Sequence, residues 1–213
     1  VRIEGDEMTV DLSGVSDQVK APINSGREGG AVTAARIAFK YLIAPDEPAN
    51  EGAFRALNVE IPEGKFLSAK APAPMGGYST PLPSVIDTIV KCLVDVMPER
   101  VAAGHHANFG MHGFAGIHPK TKKLYRCSGT LPGGWGAAMN HDGTGPYKTM
   151  AHGDTLDVPV EMQEALYPIR IEAQRYRADS GGAGERHHAF RADSPGEIHH
   201  RELGHDGRTR LDD

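Results

Sequence analysis

The sequence predicts an α+β fold: mixed, largely antiparallel sheets with a few packed helices and many loops. Three observations predict it. The 213 residues include 26 glycines and 15 prolines, which favours turns and short strands over a helical bundle. Two segments, 31–42 and 83–97, repeat apolar residues at helical spacing. Several short β-branched or alternating runs, bounded by Gly, Pro, Asp or Asn, read as strands.

A chain of this length can hold one or two domains and bury a core. Its formal charge of -5 comes without a basic face, which argues against nucleic acid as a partner. No apolar run is long enough to span a bilayer, and no basic–apolar–small leader opens the chain. Cys92 and Cys127 lack metal or redox spacing. Cys92 falls in a helical apolar pattern, so a packed, reduced thiol and a cytoplasmic location are expected. The chain opens on Val1 inside an expected strand, which reads as a piece of a larger protein.

Residues 2–12 read as a hairpin turning at Gly5-Asp6. A polar run follows, with Asp11, Ser13, Asp17, Gln18 and Asn24. Such side chains either bond nearby backbone N–H groups or contact a substrate. The helix over 31–42 buries Val32, Ala35, Ile37, Ala38, Tyr41 and Leu42, and Pro45 and Pro48 end it. Asn50 through Arg55 form a turn into a strand at 56–61. Two prolines and two glycines keep 71–77 irregular. The helix over 83–97 starts at Pro83, buries Val85, Ile86, Ile89, Val90, Leu93, Val94 and Met97, and turns Asp87, Lys91 and Asp95 outward. Strands are expected at 100–103, 109–117 and 124–128, with a hairpin tip at 118–123. A further strand is expected at 167–177. From about Glu185 the chain is rich in histidine and poor in large apolar residues, so little regular structure is expected there.

The stretch 131–168 is the richest in chemistry. Gly133-Gly134-Trp135-Gly136 reads as a loop folded tightly on a core, with an indole N–H that needs a partner. His141, Asp142, His152 and Asp154 occupy two polar turns. They could ligate Zn or Mn together, or bond local backbone. His105 and His106 are adjacent in an extended segment and so point to opposite faces, which weakens a joint role. Glu161 and Glu164 share a helix face, where either acid/base work or simple solvation is open. Ser180 lacks the elbow that would make it a nucleophile.

Four stretches together resemble the hydantoinase B/oxoprolinase family. They are Val10-Asp11-Leu12-Ser13-Gly14 with Gln18 and Asn24; Pro48-Ala49-Asn50-Glu51-Gly52-Ala53-Phe54-Arg55; Gly133-Gly134-Trp135-Gly136-Ala137 with Asp142-Gly143; and His152-Gly153-Asp154-Thr155 on through Pro159-Val160-Glu161 and Tyr167-Pro168 to Asp179-Ser180-Gly181-Gly182-Ala183-Gly184. The resemblance covers residues 1–184 and implies a carboxy-terminal part of such a protein, with 185–213 as a divergent tail. It implies part of the B-type subunit of an ATP-dependent cyclic-amide hydrolase of the hydantoin or oxoproline type. The alternatives are an alpha-type subunit of an acetone or acetophenone carboxylase, or a non-catalytic scaffold. The implied partners are a hydantoinase A-type subunit that uses ATP, and a small cyclic amide or ketone. A divalent metal, Zn or Mn, is implied with ligands upstream of the Val10–Gly14 stretch, so none is assigned here. Asp11, Asn24, Asn50, Arg55, His152 and Asp154 are the expected cleft residues.

Overall fold

A computed structural model describes residues 1–107, 110–152 and 155–175, and the backbone of 197–202. Strands β1 (Arg2–Glu4) and β2 (Glu7–Asp11) form the expected hairpin, antiparallel with Ile3 opposite Met8. Gly5 takes the turn at φ +63, a conformation that costs glycine little. In β2, Met8 and Val10 are buried while Glu7 and Asp11 are exposed, as a strand with one face on a core requires. β2 pairs in parallel with β3 (Leu57–Glu60), Met8 lying opposite Leu57. A parallel neighbour needs a crossover, and the helical segment between them supplies it.

That segment begins as a wide turn at Glu28–Val32 and continues as α1 (Thr33–Ile43). Gly30 permits the entry: a Cβ there would lie 2.6 Å from the Ser25 Cβ and 2.7 Å from the Leu67 carbonyl oxygen. Ala34, Ala35, Ala38, Phe39 and Leu42 face inward. They meet α2 (Leu82–Lys91), which presents Leu82, Ile86, Ile89 and Val90. The α2 helix stops six residues before the expected end, and residues 92–96 continue as turns with i→i+3 bonds such as Leu93 N–H to the Val90 carbonyl. Two details differ from expectation as a result. Cys92 is exposed and Cys127 is the buried thiol; at the helix terminus Cys92 leaves the apolar stripe. Val94 is also exposed.

The second sheet is the antiparallel pair β4 (Met111–Ile117) and β5 (Leu124–Thr130), in register from Met111–Thr130 to Ile117–Leu124. Residues 100–103 form no strand. Instead the 103–106 segment pairs loosely with the glycine–tryptophan loop, through Ala103 N–H to the Ala137 carbonyl (2.8 Å) and His106 N–H to the Gly134 carbonyl (3.1 Å). A short helix, α3 (Val160–Leu166), precedes β6 (Ile169–Arg175). Inside the segment expected to lack regular structure, the backbone of β7 (Glu197–Glu202) pairs antiparallel with β6. The three helices and small mixed sheets make the α+β class that the sequence predicts. Among the described residues no helix is long and apolar enough to cross a membrane.

Candidate functional site

A cavity of about 1040 Å³ lies between two parts of the chain distant in sequence. One wall comes from α1 and the turn after it, with Arg36, Ile37, Lys40, Tyr41, Ala49 and Phe54. The other comes from Trp135, Tyr147, Lys148, Met150, Leu156 and Asp157. Two stretches singled out in the sequence therefore face each other across it, Ala49-Asn50-Glu51-Gly52-Ala53-Phe54 and Gly133-Gly134-Trp135-Gly136.

Each wall is built by local chemistry. Asn50 caps a short 3-10 turn, Glu51–Phe54, its Oδ1 accepting the Ala53 N–H at 3.0 Å. The turn presents Phe54 to the cavity and brings Glu51 onto Arg36 through two bonds of 2.9 and 2.8 Å. The Arg36 guanidinium also lies 4.9 Å above the Phe54 ring. Opposite, Trp135 finds the partner its indole needs, Nε1–H donating to the Lys148 carbonyl at 3.0 Å. Glycines let this loop settle. A Cβ on Gly133 would lie 2.5 Å from the His106 ring, and one on Gly136 would overlap the Ala103 carbonyl.

Behind Trp135 sits a titratable cluster that sequence spacing did not single out. Asp87 is turned inward, not to solvent. Its Oδ2 accepts the His105 N–H at 2.9 Å and its Oδ1 lies 3.6 Å from His105 Nδ1. The Ala103 carbonyl is 3.3 Å from the same nitrogen. Both acceptors lie on the Nδ1 side, so Nδ1 carries the proton in the neutral ring. The His105 ring packs 4.5 Å from the Trp135 ring, with the edge of Tyr41 6.4 Å away. His105 packs on Trp135 and His106 lies against Gly133, so both rings are covered. His105 Nε2 and both ring nitrogens of His106 are buried without a hydrogen bond among the described residues. Burial pushes both histidines below the usual imidazole range, and the Asp87 carboxylate opposes this for each. Burial also pushes the Asp87 carboxyl up, against the pull of His105. Tyr41 is raised by burial and then by Asp87, so its phenol stays protonated. The signal that could have found this cluster is Asp87 itself, a carboxylate at a position bordering the apolar face of α2.

Of the six expected cleft residues, the five among the described residues do not line one site. Asp11 is exposed on β2, where bonds from Ser13 hold its carboxyl below the usual range. Asn24 is fully buried and bonded to the backbone, its Oδ1 taking the Val19 N–H and its Nδ2 donating to the carbonyls of Val19, Ala21 and Pro74. Asn50 shapes the cavity wall as a cap. Arg55 is exposed. His152 lines a smaller neighbouring cavity of about 360 Å³ that shares Lys148, Thr155, Leu156 and Asp157 with the large one. Asp154 lies outside the described residues, as does Ser180. Glu161 and Glu164 are exposed, and Glu164 accepts the Ile171 N–H at 2.8 Å. Among the described residues no three of His, Cys, Asp and Glu are arranged to hold a metal ion. The implied Zn or Mn thus has no donor set among the described residues, and its ligands were expected upstream of them.

The hydantoinase B/oxoprolinase model matches residues 1–189. The chain belongs to the hydantoinase B/oxoprolinase family. Among family relatives, it is 30% identical to the beta chain of the caprolactamase of Pseudomonas jessenii over 192 residues, covering 87% of this chain and 32% of that protein. It is 27% identical to the B-type component of a putative D-/L-hydantoinase of a Pseudomonas species, with the same coverage of both. The crystal structure of the ATP-dependent caprolactamase from Pseudomonas jessenii superposes with a TM-score of 0.80 at 28% identity, over 94% of this chain and 34% of that one. The chain thus spans about a third of the length of these family members.

Proposed function

We propose that this chain is part of the B-type subunit of an ATP-dependent cyclic-amide hydrolase, of the hydantoin or oxoproline type, working in the cytoplasm. The cavity between α1 and the Trp135 loop holds the substrate ring. Of the expected cleft residues, Asn50 acts as a cap on the wall, and His152 lines the smaller cavity that shares Lys148, Thr155, Leu156 and Asp157 with the larger one. ATP is used on an A-type partner subunit, and the divalent metal is held by residues beyond those described here. The observation that carries this reading is the fit to the ATP-dependent caprolactamase over nearly the whole chain, with the family's Trp135 and Phe54 stretches forming the two cavity walls.

Hydrolysis of a cyclic amide adds one water, breaks the ring C–N bond, and passes a proton to the released nitrogen. The residues of this chain would bind and orient the ring and exclude bulk water. The test is to combine the chain with an A-type subunit, ATP, and Zn or Mn, and to follow ring opening and ADP release on cyclic amides. Ring opening that needs both ATP and this chain supports the reading. Carboxylation of a ketone, or ring opening at an undiminished rate without this chain, overturns it.

A further inference from the structure

Resting on the reading that the cavity between α1 and the Trp135 loop is the substrate site, we infer that Lys40 is its anion-reading residue. It holds a carboxylate of the ligand while the aromatic wall holds the ring. That carboxylate is either carried on the ring or released when the ring opens.

The charges on the wall are the deciding feature. The side of α1 that lines the cavity carries Arg36 and Lys40, one helical turn apart. Like charges at that spacing repel, and the fold compensates only the first. Arg36 is bound by both oxygens of Glu51 and lies over Phe54. On the opposite wall, Lys148 donates to the Thr130 carbonyl at 2.6 Å and pairs with Asp157. Lys40 pairs with no carboxylate among the described residues. Its bond goes to the Ala44 carbonyl, at the end of its own helix. That acceptor is neutral, and a lysine ammonium has three donors, so the charge and most of the donor capacity remain for a ligand. The wall therefore keeps a positive charge in surplus. Phe54, Trp135 and Tyr147 supply the apolar area for a ring beside it. The cavity is as large as the roughly 300–1,000 Å³ sites of drug-sized ligands, so a bare five-membered ring leaves room for a charged arm to reach α1. Leu156 on the lining is 87% exposed, so water reaches the wall. A carboxylate there keeps part of its hydration, which lowers the desolvation cost that burdens fully buried ion pairs.

Trp135 is the chain's only tryptophan and lines the site, so its emission reports occupancy. Three ligands on one skeleton make the comparison, titrated into the whole chain with calorimetry alongside. Hydantoin-5-acetamide is neutral. Hydantoin-5-acetic acid carries a carboxylate on the ring. N-carbamoylasparagine is the opened form of the amide and carries the carboxylate that opening releases. At least one acid is expected to bind about tenfold more tightly than the neutral amide, a difference of about 1.4 kcal/mol. The preference is expected to shrink as salt rises, because the site is open to water. Which acid shows it identifies the source of the carboxylate. Lys40→Met removes the charge, keeps an apolar stem, and is expected to abolish the preference while leaving the amide's affinity as it was. Lys40→Arg is expected to keep a preference for the acid. Should Lys40→Met not fold, the salt series on the native chain decides, and a preference that stays flat with salt overturns the inference. So do equal affinities for all three ligands, no binding of any, or a preference that survives in folded Lys40→Met, as it would if the lysine only capped α1. Acids that bind through Lys40 while no cyclic amide is ever opened with ATP and an A-type subunit remove the proposed function and leave the role of Lys40 standing. Ring opening that proceeds equally on amide and acid, in the native chain and in Lys40→Met alike, does the reverse.

Discussion

At the scale of single residues, the buried histidines set the chain's response to acid. His105 and His106 lie against Trp135 and Gly133 of the glycine–tryptophan loop, and the charged groups around them are Asp87 on α2 and Lys148. Both are depressed from an ordinary value of 6.5, chiefly by burial. The unfolded chain therefore binds their protons first, and stability is lost as pH falls through 6.5 toward the folded-state values. Asp87 acts with the opposite sign. Its folded carboxyl is raised above 3.8, so its contribution grows as pH falls through that raised value, at the acid end of the range. A urea series from about pH 7.5 to about pH 5.5, where histidine titrates, is expected to show the midpoint falling. In His106→Gln the fall is expected to be shallower, whatever the variant's absolute stability. Parallel slopes for the two proteins would show that His106 stays out of this balance.

Between elements, the tightest constraint is the contact of the 103–106 segment with residues 133–137. The two backbones approach so closely that a methyl group at Gly136 would overlap the Ala103 carbonyl. Gly136→Ala is expected to cost about 1–3 kcal/mol or more, as forced overpacking does, and to shift Trp135 emission because the indole sits one residue away. Gly29→Ala is the control. It lies in the helical turn before α1, where a Cβ meets nothing within 4 Å, and is expected to change stability by less than about 1 kcal/mol. Equal denaturation midpoints for the two variants would refute the close-approach argument. These elements also show what was legible in the sequence. Helix α1, the β1–β2 hairpin and the β4–β5 pair follow from periodicity and turn residues, which are local. The Gly-Gly-Trp-Gly cluster announced a loop packed on a core. What it packs against was not legible, because the 103–106 segment has no period and its partner is some thirty residues away. Asp87 reads as a surface residue in a helical wheel, and only the tertiary position of His105 turns it inward. The early end of α2 was hidden for a related reason: apolar spacing runs on through Met97, while the backbone beyond Lys91 has changed to tighter turns.

Across the whole molecule, the cavity joins two parts of the chain that lie far apart in sequence. Its walls come from residues 33–54 and 132–157, and the first of these carries the main core through Ala34, Ala38, Phe39 and Leu42. The second belongs to a region of loops and a two-stranded sheet, where Leu156 is 87% exposed and Met139 62%. Such a region opens more readily than a helix core, since few buried apolar contacts hold it. A ligand bound between the walls adds contacts that vanish when either side opens. It should therefore stabilise the molecule as a unit, not merely order a loop. At a free concentration of 100 times Kd, linkage supplies about 2.7 kcal/mol. For a chain of this size that corresponds to a rise in Tm of roughly 5–10 °C, at about 2–4 °C per kcal/mol. A phenyl-substituted hydantoin, a cyclic amide of the proposed substrate class, is expected to produce this rise, and Trp135 emission and far-ultraviolet circular dichroism should report the same midpoint. A rise seen by Trp135 alone, with the helical signal melting where it did before, would mean that the ligand orders the loop without tying it to α1. The cavity would then be a surface of one region and not a site made by two.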